Sequence, residues 1–277
     1  MRFGISTHLY HDQRLAAEHL AEIASFGFEA VELFATRSHF DYHDRAAIEA
    51  LAGWLRETGL DLHGIHAPIA ESMGAGDRWG PVISNAVTDS AARHAAVRET
   101  DRALDVVRRI GAEVVVVHLG TPASKAGDNN RGAAVRSLEE ICGLADGVGV
   151  QVAVEVIPNE LSSAAALAAM LDRDLDGSAA GICFDFGHAR LLGDVPDAIE
   201  AASEHVIATH VHDNHGRTDE HLVPFDGSID WNAALMSMQK IGYEGTYLME
   251  LANTAPAAAV LESARRARQR FEQLLTY

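Results

Sequence analysis

Short apolar runs alternate along this chain with longer segments whose apolar positions recur every three or four residues. The short runs predict strands at Phe3–Ser6, Ala30–Phe34, Leu60–His66, Val114–His118, Val152–Val156, Gly181–Phe184, Val206–Val211 and Thr246–Leu251. The longer segments predict helices over Gln13–Phe26, Arg45–Thr58, Ser90–Ile110, Arg131–Val148, Ser162–Leu171, Val195–Ser203, Trp231–Ile241 and Ala257–Leu275. Strict strand–helix alternation calls for a parallel sheet. Val114-Val115-Val116-Val117 is apolar on both faces, as a buried parallel strand must be. Eight such units in 277 residues predict a closed (β/α)₈ barrel, α/β in class, with residues 1–277 as one domain. A doubly wound open sheet is the alternative, and the lack of a glycine-rich fingerprint after the first strand weakens it. Gly27, Gly59, Gly111 and Gly149 each stand just before a strand, placed to end a helix in a left-handed cap.

Composition narrows the partners. Lys and Arg total 22 against 40 Asp and Glu, a net charge of -18, and 48% of residues are hydrophobic. So acidic a surface repels phosphate backbones and counts against nucleic acid. Cys142 and Cys183 lack metal-type spacing and read as buried free thiols. Nothing resembles a signal peptide or a membrane span, so the expectation is a soluble cytoplasmic protein, with a homo-oligomer left open.

The polar residues carry the chemistry, since barrel sites collect at the C-terminal ends of the strands. His66 ends the third strand and His118 the fourth; Glu155 lies near the end of the fifth. Asp185 ends the sixth, with His188 just beyond. The seventh carries His210 and His212, followed by Asp213, and its loop carries Asp219 and His221. Glu250 closes the eighth. A single strand-end histidine is usually a packed core residue, and a strand-end aspartate is often a helix cap. Six consecutive strands delivering ligand types to one rim point to a divalent metal site. Imidazoles mixed with carboxylates suit Zn²⁺, Mn²⁺, Co²⁺ or Fe²⁺ better than Ca²⁺. Of His210 and His212, two apart on one strand face, His210 lies deeper and reads as the ligand, with His212 nearer the substrate. Gly187 is expected to allow a sharp turn that brings Asp185 and His188 together. His8 and Glu32 are pocket candidates with equal structural readings. Trp79 reads as a cover for the mouth or a packing anchor. Lys125 reads as solvated or as a partner for a sugar phosphate. Gly227 reads as turn chemistry. His19, His39, His43, His63, His94, His205 and His215 receive no role.

Glu155-Val156-Ile157-Pro158-Asn159, Phe184-Asp185-Phe186-Gly187-His188, Met249-Glu250 and the run His210–His221 followed by Gly227–Trp231 resemble the xylose-isomerase-like TIM barrels. The resemblance covers essentially the whole chain. It implies a metal-dependent sugar isomerase or epimerase acting on a keto sugar or related polyol through an enediolate. Glu155, Asp185, His210 and Glu250 would hold one ion, Zn²⁺ or Mn²⁺ first, then Co²⁺ or Mg²⁺. Glu155 and Glu250 would serve as acid and base. His188 matches a substrate-hydroxyl ligand in position, and Arg217 stands one residue off an arginine of similar role. The same superfamily includes inosose dehydratases and the endonuclease IV type of abasic-site nuclease, which uses nine ligands for three zinc ions. By position this sequence supplies nine: His66, His118, Glu155, Asp185, His188, His210, Asp219, His221 and Glu250. The acidic loops favour a small sugar over DNA.

Overall fold

The computed structural model describes residues 1–74, 78–122, 128–175 and 180–275, and Lys125 lies outside them. Eight parallel strands close into a barrel: β1 (Arg2–Ser6), β2 (Ala30–Phe34), β3 (Asp61–His66), β4 (Val114–Val117), β5 (Gln151–Glu155), β6 (Ala180–Asp185), β7 (Val206–Val211) and β8 (Thr246–Met249). They pair in chain order, and β8 closes on β1 through Arg2–Thr246 to Ile5–Met249. The predicted strands are all present. Ala30–Phe34 and Val206–Val211 keep their predicted ends and the others move by at most two residues, because pairing with a neighbour, rather than local composition, decides where a strand stops.

Helices α1 (Ala17–Ser25), α2 (Arg45–Thr58), α3 (Ser90–Ile110), α4 (Arg131–Asp146) and α5 (Ala164–Asp174) follow the first five strands. Two helices, α6 (Phe186–Leu192) and α7 (Val195–Ala202), follow β6; α8 (Trp231–Lys240) and α9 (Ala257–Leu275) complete the ring. Asp44, Asp89, Asn130, Ser163, Asp194 and Asp230 each accept a backbone N–H in the first turn of a helix. The short α6 was not expected. Gly187 sits within it rather than in a sharp turn, because Asp185 caps it through the His188 amide at 2.6 Å. The four glycines before strands all have positive φ; Gly59 closes α2 in the left-handed region, whereas Gly111 is extended in ψ and so is not a left-handed cap.

Val114, Val116, Ala153, Cys183 and Ala208 pack together in one buried cluster, and a larger one joins the strands to the helices. Both cysteines are buried and free, and burial pushes the Cys183 thiol up to about 12. Two register shifts bear on the site. His63 is an extra residue on β3 opposite Val31 and Glu32, and Ile207 is one on β7 opposite Ile182 and Cys183. Beyond the second shift Asp185 stands opposite His210, which itself stands opposite Leu248 on β8. Among the described residues no helix is long and apolar enough to cross a membrane.

Candidate metal centre and active site

The strand ends converge. Donor atoms of Glu155, Asp185, His210 and Glu250 all lie within 4.8 Å of one another, and all four side chains are buried. His210 Nδ1 lies 3.3 Å from Glu155, 3.5 Å from Glu250 and 3.8 Å from Asp185. The other ring nitrogen of His210 meets Glu32 Oε2 at 3.0 Å, and Glu32 accepts the Ser6 hydroxyl through its second oxygen. A carboxylate on the far nitrogen fixes the ring and raises the basicity of the near one, as it does behind metal-bound histidines. The sequence showed Glu32 as a carboxylate in an apolar strand but gave no sign of its partner.

These residues fit a divalent cation. Among the described residues, His210 Nδ1 and Glu155 Oε1 are buried atoms with no hydrogen-bond partner. His188 Nδ1 lies 3.2 Å from Glu155 Oε1 but donates to the Val156 carbonyl instead. Buried polar atoms left unpaired are costly, and both of these belong to residues of the four-donor group.

Two further groups adjoin this one. His66 Nε2 and His118 Nε2 reach Glu155 Oε2 at 3.2 and 3.1 Å. Farther out, Asp219 Oδ2 accepts from His188 Nε2 at 3.0 Å and His221 Nε2 at 3.3 Å. His66, His188 and His221 each direct Nδ1 at a backbone carbonyl, of Ala67, Val156 and Glu250 respectively. With Nδ1 held by a carbonyl, Nε2 is in each case the nitrogen that would ligate once the proton it shares with a carboxylate is released. His212, expected nearer the substrate, is fully buried: it reaches Asp185 at 3.0 Å and stacks on His221 at 4.0 Å between centroids. A Cβ on Gly187 would come within 2.0 Å of that imidazole, so what glycine provides here is close approach.

Charge balance without an ion is kept by protons. Burial pushes Glu155 up, but His118 and His210 outweigh it and hold the carboxyl well below its usual range. Burial lowers His210, yet the carboxylates of Glu32, Glu155 and Glu250 beside it hold it well above the ordinary value. Burial likewise lowers His66 and His221, while Glu155 lifts the first to about 8 and Asp219 the second to about 10. A cation held by these groups would take the place of those protons.

Asp213 belongs to none of these groups. Its carboxylate is fully buried and accepts from the amides of Asn214, Phe225 and Ile229 and from Trp231 Nε1. It braces the loop that carries Arg217, Asp219 and His221. Gly227 belongs to the same brace, since a Cβ there would strike the Asp213 carboxylate and the Asn214 carbonyl.

The groups open on a pocket of about 490 Å³. Glu155, Glu250, His66, His118, His188, Asp219 and His221 line it, with His8, Trp79 and the exposed Arg217. Asp185, His210 and His212 stand behind this lining. His11 escaped the sequence reading; it is buried and stacks on His8, past the end of β1, where strand periodicity gives no signal.

Comparison with known proteins agrees with this architecture. An uncharacterised protein of Methanocaldococcus jannaschii is 26% identical over 280 residues, covering 93% of this chain and 86% of its own. A D-tagatose 3-epimerase-like protein superposes with a TM-score of 0.80 at 24% identity, covering 100% of this chain and 97% of its own. The D-psicose 3-epimerase of Clostridium cellulolyticum H10 gives 0.80 at 19%, with 99% of each chain covered. IolI, solved with a bound zinc atom, gives 0.76 at 16%, with 98% of each covered. At these identities the solved structures share the fold. The family described as xylose isomerase-like TIM barrel matches residues 20–270, and the chain belongs to it.

Proposed function

We propose that this chain is a metal-dependent sugar isomerase or epimerase that moves a proton on the carbon beside the carbonyl of a keto sugar or of the keto form of a related polyol. One observation carries the reading: Glu155 and Glu250 share a buried four-donor group with Asp185 and His210, and both glutamates line the pocket. A divalent ion held by those four side chains, zinc or manganese by donor type, would supply Lewis-acid stabilisation of charge on the substrate oxygens. Asp185 and His210 stand behind the lining and fix the geometry, which leaves the two glutamates for the substrate. One takes the proton and the other returns it. Return to the opposite face of the same carbon gives an epimer; return to the neighbouring carbon gives an isomer. His188 and Arg217 also line the pocket and would meet substrate hydroxyls. Epimerases of the same fold, and the zinc of IolI, support this class and this type of ion.

An abasic-site nuclease is the second reading. It is favoured by four overlapping groups among the described residues: His66 with His118 and Glu155, His66 with His210 and Glu250, the central four, and His188 with His212, Asp219 and His221. Charge opposes it. A duplex needs cations against its phosphates, and among the described lining residues Arg217 stands alone beside the histidines in a chain of net charge -18.

The test is deuterium wash-in from D₂O into ketoses and inososes with metal-loaded protein, followed by NMR. Label should appear beside the carbonyl, and Glu155→Gln or Glu250→Gln should slow it roughly 10²–10⁴-fold with metal still bound. Three zinc ions per chain with cleavage of abasic DNA, and no exchange with any ketose, would overturn the reading. Loss of water from an inosose would move it to a dehydratase.

A further inference from the structure

The pocket has a second wall that the proton transfer does not use. Phe34, Ile69 and Met73 form a buried apolar cluster separate from the barrel core, and half-buried Trp79 packs against it. Phe34 is the last residue of β2, and Trp79 pairs with Met73 in a short antiparallel ladder after β3. All four line the same pocket as Glu155 and Glu250, so this wall is continuous with the metal centre. The half-buried Pro122, Pro158 and Leu191 add further apolar surface to the lining.

One polar group is set into this surface. His8 is 5% exposed, lines the pocket and meets Phe34 edge-on with centroids 4.9 Å apart. Its Nδ1 is engaged by the Leu251 carbonyl at 3.3 Å, which assigns the proton there and leaves Nε2 as an acceptor. The ring is clamped between His11 at 4.7 Å and His221 at 5.1 Å, so it cannot turn to present a donor.

We propose that this wall binds an uncharged, apolar substituent on the end of the substrate remote from its carbonyl, an O-alkyl or O-aryl group, with His8 accepting a hydrogen bond from a neighbouring hydroxyl. The proposal rests on the sugar reading above. A pocket of about 490 Å³ has room beyond a single sugar ring. Aromatic and aliphatic side chains gain from covering apolar surface and give nothing back to a desolvated phosphate. An acceptor at His8 repels phosphate oxygens. Away from the metal centre and its histidines, Arg217 is the cation among the described lining residues, and it stands two residues from Asp219.

The experiment compares three probes on the metal-loaded protein: a free ketohexose, the same sugar phosphorylated at its terminal carbon, and the same sugar with a terminal O-benzyl group. Deuterium wash-in gives kcat and KM, and quenching of tryptophan fluorescence gives binding. The benzyl ether should exceed the free sugar by about 10-fold or more in kcat/KM, carried by KM, with the phosphate ester the poorest. Trp79→Ala should bring the benzyl-to-free ratio close to one. His8→Phe, which keeps the stacking, should raise KM several-fold and leave metal content unchanged. A phosphate ester that equals or beats the benzyl ether, or a ratio that survives Trp79→Ala, overturns the proposal. Binding in the expected order without exchange would reject the sugar chemistry and keep the substituent site. Exchange with the order reversed would do the opposite.

Discussion

Glu32 shows how far a single residue can be read. Its place between Val31 and Leu33 marks a carboxylate in an apolar strand. Its purpose appears only when His210, 178 positions along, arrives at 3.0 Å. Each of these side chains makes the other's burial tolerable, and the pair aims Nδ1 at the metal group. Glu32→Gln keeps the shape but removes the charge that supports the imidazole. It should weaken metal binding roughly 10–100-fold, measured by competition with a chelating dye, with the fold intact. Unchanged affinity would show that Glu32 is only a filler. Asp185 and Asp213 make the opposite point, being neighbours of histidines that look alike in sequence. Asp185 caps α6 and joins the buried four-donor group, whereas Asp213 spends its oxygens on four N–H donors.

At the scale of elements, α6 sets the outer group. It begins at the Asp185 cap, carries His188 in its first turn, and passes so close to His212 that residue 187 has no room for a side chain. Alanine in a helix interior normally gains up to about 1 kcal/mol over glycine. At Gly187 the added methyl must displace His212 from Asp185, and overpacking costs about 1–3 kcal/mol. Gly187→Ala should therefore lower stability in urea unfolding and weaken metal binding. Gly143→Ala is the control: it lies in α4 with nothing within 4 Å of an added Cβ, and should stabilise. If both substitutions stabilise, the close approach at Gly187 is not a constraint. The short helix was illegible because seven residues carry too little periodicity. What forms it is a cap that also needs His212 as a partner.

For the molecule as a whole, acid is the condition that finds the buried histidines. His39 is fully buried away from the metal groups, with Nδ1 on the Gln13 carbonyl at 2.7 Å. Burial lowers it from 6.5 to about 4. The folded chain resists a proton that the unfolded chain accepts, so the stabilisation is complete above pH 6.5 and is lost as pH falls towards 4. A shift of that size is worth about 3 kcal/mol at most. Urea unfolding between pH 7 and pH 4.5 should show His39→Gln losing less stability than the unaltered chain. Parallel slopes would remove His39 from the acid response.

What the sequence determined by itself was whatever local pattern encodes. Apolar runs of two-sided strands alternating with helical periodicity specify a parallel barrel, since few other arrangements bury both patterns. The ligand types at the ends of six strands specify one rim, since a closed barrel brings every strand end to the same mouth. The tertiary structure alone decided which nitrogen of His66, His188 and His221 meets a backbone carbonyl, that Glu32 stands behind His210, that Asp213 is a brace, and that Phe34, Ile69, Met73 and Trp79 make a second wall. Those facts depend on distances between residues far apart in the chain, set to within an ångström by strand register and close packing, and no run of neighbouring residues contains that information.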